Sequence, residues 1–266
     1  MKSSLKILST LLLCACSFQT FAGSTTGDTL RIMTYNIHHC NPPTKSKTGE
    51  IEVDAIARVI NSRQPDLVAL QEVDVNTKRS GGIDQAAQLA AKTGMHAYFG
   101  KAIDHDGGEY GVAILSKFPL ADAHTVHLPE TANPGSEDRV VAMARISFRN
   151  GKELIFACTH MDVSNAAVRD EQAAAINKMA AANSIPFILA GDLNCKPESD
   201  SYQILLKKFT PSCTNCGFTI PVNNPNRVID HIMWTNATGF QVQRSEVVNE
   251  PYPSDHLPVV AEIVIK

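Results

Sequence analysis

The chain has 266 residues, 44% of them hydrophobic and 19% charged, with a formal net charge of −3. That length suffices for one large domain or two small ones with a proper core. No lysine or arginine block stands anywhere in it, which argues against a dedicated nucleic-acid binder, though not against a nuclease that brings divalent cations. The first predicted element is a leader. Lys2 and Lys6 precede a short apolar stretch, 7–16, of the length of a signal h-region and too short to span a bilayer. Thr20-Phe21-Ala22 offers a cleavage site, so residues 1–22 read as a signal peptide and 23–266 as the functional domain. The alternative is a lipoprotein signal, with Cys16 as the lipid-accepting residue. Either way the expected location is outside the cytoplasm: periplasmic, secreted or lipid-anchored at the cell surface. Removing 1–22 takes away two lysines and no acids, leaving a net charge of −5. No later stretch is apolar enough to cross a membrane.

Short β-rich runs follow at 30–37, 67–72, 97–100, 111–116, 139–148, 154–160, 187–190, 228–234, 241–248 and 259–265. Helical patterns interrupt them at 53–62, 84–93, 165–182 and 199–209. In the first helix Val53, Ile56, Val59 and Ile60 share one face, and Gly94 is a natural stop for the second. Ten strands and four helices, not in strict βα alternation, predict an α/β fold: a four-layer α/β/β/α sandwich of two packed, mostly antiparallel sheets with flanking helices. There are no internal repeats or low-complexity linkers, so one domain is the natural count, and a monomer is expected. Five cysteines remain after processing, and Cys213-Thr-Asn-Cys216 reads either as a local loop disulfide or as two free thiols.

Strand ends carry an unusual load. Asn36 and His38 close the first strand, Glu72 the second and His160 another. Asp192 and Asn194 end the run "FILAGDLN", Asp230 sits within "RVIDHIMW", and Asp255 and His256 precede the last strand. Any one of these has an ordinary reading, since Asp and Asn favour turns. Ordinary turns also draw on Ser, Lys and Gly, so recurrence at strand after strand points to a shared site. The run His38-His39-Cys40 has soft-metal character, but no ligands at zinc spacing stand elsewhere, and zinc is not expected there.

"TYNI", "LQEVD", "GEYGVAILSK", "THMD", "GDLNCKP", "IDHIMW" and "SDHLPV" stand in the order found in the endonuclease/exonuclease/phosphatase superfamily, and the chain resembles its DNase I-like members from about residue 31 to 265. The resemblance implies a DNase I-like sandwich and a metal-dependent phosphoesterase acting through an activated water. By that resemblance Glu72 holds a hard cation, Mg²⁺ with Mn²⁺ or Ca²⁺ as alternatives, with Asn36 and Asp255 as further ligands. Asp192 would orient and deprotonate the attacking water, and Asn194 would donate to a phosphate oxygen. His256 would contact the phosphoryl group with Asp230 on its other ring nitrogen, and His160 would bond a phosphate oxygen or protonate the leaving group. Arg139 is a loose match to a phosphate-binding arginine; Glu109 and Tyr110 either line the site or belong to a turn feeding a strand. Cys195, where the family more often has a small residue after GDxN, reads as a packing substitution.

The loops at 128–138 and 219–228 are polar and proline-rich, and the lone tryptophan, Trp234, lies within a strand. Such loops offer little to stack bases or enter a lipid surface. A small phosphodiester or phosphomonoester, such as a lipid head group or sugar phosphate, is therefore the expected substrate. A secreted nuclease is the alternative, with nucleic acid as partner; a non-catalytic binding domain is disfavoured by the complete residue set.

Overall fold

The structure, a computed structural model, describes residues 28–236 and 239–265; the leader, with both processing sites, lies outside the described residues. In chain order the strands are β1 (Asp28–Asn36), β2 (Leu67–Val75), β3 (His96–His105), β4 (Gly108–Ser116), β5 (Ala121–His127) and β6 (Val140–Ser147), then β7 (Glu153–His160), β8 (Phe187–Asp192), β9 (Phe209–Pro211), β10 (Asp230–Thr235), β11 (Gln241–Val247) and β12 (Val259–Ile265). The helices are α1 (Val53–Arg63), α2 (Gln85–Thr93), α3 (Ala166–Ala181) and α4 (Asp200–Leu206). One sheet has the order β11-β12-β1-β2-β4-β3 and the other β5-β6-β7-β8-β10-β9. Pairing is antiparallel except between β1 and β2 and between β7 and β8.

Three apolar layers make this four-layer sandwich. Between the sheets, Ile32, Ala69, Ile114, Ala142, Phe156, Ala190, Ile232 and Ala261 belong to one buried cluster. The opposite face of the first sheet carries Met33, Tyr35, Val68 and Leu70 against Ile56, Val59 and Ile60 of α1 and Leu89 of α2. The far face of the second sheet sets Ala157, Phe187 and Leu189 against Ala173 and Ile176 of α3 and Leu205 of α4. Alternate residues along each strand thus divide between two cores, as the period of two requires. The predicted apolar face of α1 is buried throughout, and Gly94, at φ 67°, caps α2.

The structure adds two strands to the ten expected. β5 is a half-exposed edge strand, Ala-Asp-Ala-His-Thr-Val-His, whose outer face is polar enough to read as loop. β9 has three residues, too few for a periodic signal. It also ends the fourth helix early: Phe209, expected inside that helix, is buried in β9 opposite Thr235 and meets Phe187 edge-on at 6.0 Å. Cys213 and Cys216 are bonded to each other, while Cys40, Cys158 and Cys195 are free and buried. Among the described residues no helix is long and apolar enough to cross a membrane.

Candidate active site

The inner-face rows run out of hydrocarbon at one end of the sandwich, and polar residues continue them. On β7 the row Leu154, Phe156, Cys158 continues to His160, and on β8 Ile188 and Ala190 continue to Asp192. On β10 Asp230 precedes Ile232 and Trp234, and on β1 Asn36 follows Ile32 and Thr34. Strand register sets three of them level, because His160 pairs with Asp192 across β7 and β8, and Asp192 with Asp230 across β8 and β10. Gly191 makes this approach feasible: a side chain there would run into the Thr159 carbonyl.

Glu72 arrives by another device. Regular alternation would turn it, like Val68 and Leu70, toward α1 and α2. The register of β2 against β4 shifts between Gln71 and Val73, and Glu72 is the extra residue, at φ 57°. This bulge leaves Gln71 between the sheets and directs the Glu72 carboxylate to Asn36.

One carboxylate oxygen is the meeting point. Asp192 Oδ2 accepts from Asn36 Nδ2 at 3.1 Å and lies 3.5 Å from His160 Nε2 and 3.7 Å from His256 Nε2. Its other oxygen, Oδ1, accepts from the Asn194 backbone N–H at 2.9 Å. Asn36 Nδ2 also donates to Glu72 Oε1 at 3.0 Å, so one amide spaces the two carboxylates, while its oxygen accepts the His38 N–H at 3.1 Å. His256 Nδ1 lies 2.9 Å from Asp230 Oδ2, which fixes the proton there and leaves Nε2 facing Asp192. The side-chain amide of Asn194 donates to the Met161 carbonyl at 2.9 Å, and its second N–H remains. Asp255, partly exposed, belongs to neither close group of ligand atoms found among the described residues: His38, His39 and Glu72, or Asp192, Asp230 and His256.

Burial, with Asp230 close by, pushes Asp192 up to about 7. Burial alone would lower His256, but the Asp230 charge and hydrogen bond outweigh it and raise the imidazole to about 10. His160 is driven well below its ordinary value by burial, then by Arg139 and His256. Two histidines in one cleft are thus held in opposite states, His256 charged and His160 neutral. Arg139 is buried immediately before β6, bonded to Glu137 at 3.0 Å and close enough to act on His160. Tyr110 is brought to Glu72 and its hydroxyl is held far above its usual range, first by burial and then by that carboxylate. Glu109 instead pairs with Lys101 at 3.2 Å. Burial raises the Cys195 thiol to about 12, consistent with a packing role.

Sequence reasoning missed Asp74 and Arg79. Buried Asp74 takes two bonds of 2.7 Å from Arg79, whose guanidinium lies 5.5 Å from the Tyr110 ring centre. Asp74 lies past the point where β2 was expected to end, and only that strand's continuation beyond the bulge buries it. The donor set around Glu72 fits a divalent cation. Among the described residues this carboxylate, partly exposed, makes no ion pair, and the nearby His39 Nδ1 is buried without a hydrogen-bond partner.

Comparison with solved structures places these observations. An endonuclease/exonuclease/phosphatase from Beutenbergia cavernae DSM 12333 aligns with a TM-score of 0.75 and 25% identity, covering 89% of this chain and 72% of its own. A mannosyl-6-phosphatase from Bacteroides thetaiotaomicron VPI-5482 gives 0.71 and 21%, covering 88% and 99%. The human Nocturnin catalytic domain with bound sulfate gives 0.71 and 19%, covering 90% and 95%. No curated protein matches in sequence. Residues 33–256 match a family of metal-dependent phosphoester hydrolases, and the chain belongs to it: the Endonuclease/Exonuclease/phosphatase family.

Proposed function

We propose that this chain is an exported, divalent-cation-dependent hydrolase of small phosphate esters, such as sugar phosphates or head groups, with Mg²⁺ serving in the first instance. The observation that carries this reading is the convergence of Asn36, His160 and His256 on Asp192 Oδ2, with Glu72 on the other side of the same amide. A leader at 1–22 or a lipidated Cys16 supports export. The mannosyl-6-phosphatase neighbour supports a sugar phosphate, and the sulfate in the Nocturnin domain is an anion of phosphate shape.

Glu72 would hold the cation, with the Asn36 amide bonded to the same carboxylate; Asp255 stands outside the close group of ligand atoms around Glu72. When bound, that ion neutralises charge on the phosphoryl and leaving oxygens. Asp192 accepts the proton of the attacking water at Oδ2, and a base poised near neutrality suits that task. The Asn194 backbone N–H holds Oδ1, so Oδ2 faces the water; the free amide N–H of Asn194 is directed to a phosphate oxygen. His256, kept charged by Asp230, donates from Nε2 to a phosphoryl oxygen. His160, held neutral, suits a hydrogen bond to another phosphoryl oxygen better than protonation of the leaving group, and Arg139 adds positive charge behind it.

A panel of bis-p-nitrophenyl phosphate, sugar phosphates, inositol phosphates, sphingomyelin and plasmid DNA, assayed with and without Mg²⁺, tests the proposal. Turnover should be confined to small esters and vanish in chelator. Glu72→Gln should slow it, with excess Mg²⁺ restoring part. Full activity in a strong chelator would overturn the metal mechanism.

A further inference from the structure

The sequence run His38-His39-Cys40 divides in the fold. Cys40 turns into the buried cluster beneath α1, whereas one ring nitrogen of each histidine and one carboxylate oxygen of Glu72 lie within 4.8 Å of one another. His38 is already oriented as a ligand would be. Its Nδ1 lies 2.8 Å from the Asn41 carbonyl, so the proton resides there and the Nε2 lone pair is free. His39 has a buried Nδ1 without a hydrogen-bond partner among the described residues.

Backbone conformation supplies a second, independent observation. His38, His39, Cys40 and Glu72 have φ of 45°, 41°, 58° and 57°, all in the left-handed region disfavoured for side-chain-bearing residues. Glycine would relieve such turns, yet all four positions bear side chains, and hydrogen bonds hold the chain there. The Asn36 oxygen accepts the His38 N–H at 3.1 Å, and Gln85 Nε2 donates to the His39 carbonyl at 2.7 Å. Gln85 is itself held by the Asp74 N–H, which donates to its Oε1 at 3.0 Å. Strain maintained in this way, in the turn after β1 and at the bulge within β2, marks a site that needs those side chains where they are.

We infer that His38 and His39 join Glu72 in binding one divalent transition-metal ion, so that this site prefers a cation of the Mn²⁺ or Zn²⁺ type to Mg²⁺. The inference deepens the proposed function and rests on its reading of Glu72 as a ligand. Imidazole nitrogen suits such ions, whereas Mg²⁺ takes oxygen and keeps its own waters. Ligands at about 2.1 Å from an ion stand roughly 3–3.5 Å apart, so binding draws the three groups inward by about an ångström. Arg79, whose charge reaches His39, is no obstacle, because Asp74 meets it through two bonds.

The test uses the full chain stripped of metal, loaded with Mn²⁺ and read by pulsed electron paramagnetic resonance for imidazole nitrogen coupling. Calorimetric titrations with Mn²⁺, Zn²⁺ and Mg²⁺ run alongside. The wild-type spectrum should show nitrogen coupling that diminishes in His38→Ala and in His39→Ala. Each variant should weaken Mn²⁺ and Zn²⁺ binding about tenfold or more, and Mg²⁺ less than about threefold. Coupling that is absent from the wild type, or that survives both substitutions, overturns the inference, and the wild-type spectrum decides even if a variant misfolds. If Glu72→Gln abolishes Mn²⁺ binding while no nitrogen is seen, the proposed function stands and this inference falls. If Glu72→Gln binds Mn²⁺ as tightly as wild type, the joint site falls together with the reading of Glu72.

Discussion

Two buried groups, Asp192 at the end of β8 and His256 ahead of β12, are central to the proposed chemistry, and both make stability fall as pH rises. Asp192 has a folded value near 7 against an unfolded value near 3.8, so folding binds an extra proton between those limits. Stability is therefore lost as pH rises through about 7. Asp192→Asn removes the buried charge and should raise the melting temperature at pH 8 by about 2–4 °C for each kcal/mol relieved. It should leave the melting temperature unchanged below about pH 3.8 while abolishing turnover. A lower melting temperature at pH 8 would show that the carboxylate is stabilised rather than strained. His256, raised to about 10, has the same sign for a different reason, since its partner Asp230 favours the charge. Its contribution is fully present below about 6.5 and is lost as pH rises through about 10. Asp230→Asn should lower the imidazole value, which NMR titration reads directly, and cut kcat about a hundredfold with KM little changed. The melting-temperature gap to wild type should be widest near pH 6 and close above about pH 10. An unshifted imidazole would remove Asp230 from the mechanism.

At the scale of elements, pairing brings the site together. β7 and β8 are parallel neighbours, and their close approach beside Gly191 sets His160 level with Asp192. Gly191→Ala should wedge these strands apart, cost about 1–3 kcal/mol, and lower kcat with it. Unchanged melting and turnover would mean that the strands have room to spare. The motif at 191–194 was legible because an apolar strand ending in Gly-Asp-x-Asn is rare in ordinary turns. The bulge at Glu72 was not, since an inserted residue shows only against its partner strand, here β4. β5 and β9 escaped for related reasons: an edge strand has one solvated face, and three residues have no period.

For the whole molecule, charge decides which substrate class is held. The net charge of −3, or −5 without the leader, and the lack of a lysine or arginine block offer DNA little electrostatic hold. A nuclease built on this surface would hold the backbone through scattered contacts and lose affinity steeply with salt. A small-ester hydrolase closes on one phosphate, so kcat/KM on a small diester should change little between about 50 and 200 mM salt, with weak plasmid cleavage. Efficient, strongly salt-sensitive DNA cleavage with negligible small-ester turnover would make the nuclease reading correct. The sequence by itself determined the sandwich, the family resemblance and the strand ends bearing acids, amides and imidazoles, because periodicity and composition are local properties. The resemblance also implied Asp230 as the partner of His256, and tertiary structure sets its carboxylate 2.9 Å from the imidazole Nδ1; tertiary structure alone decided that Asn36 would span Glu72 and Asp192. It alone separated His38 and His39 from Cys40 and set His160 and His256 in opposite charge states. Proton affinity and ligand geometry depend on what lies within a few ångströms in space, and neighbours brought from distant strands leave no mark on the sequence around them.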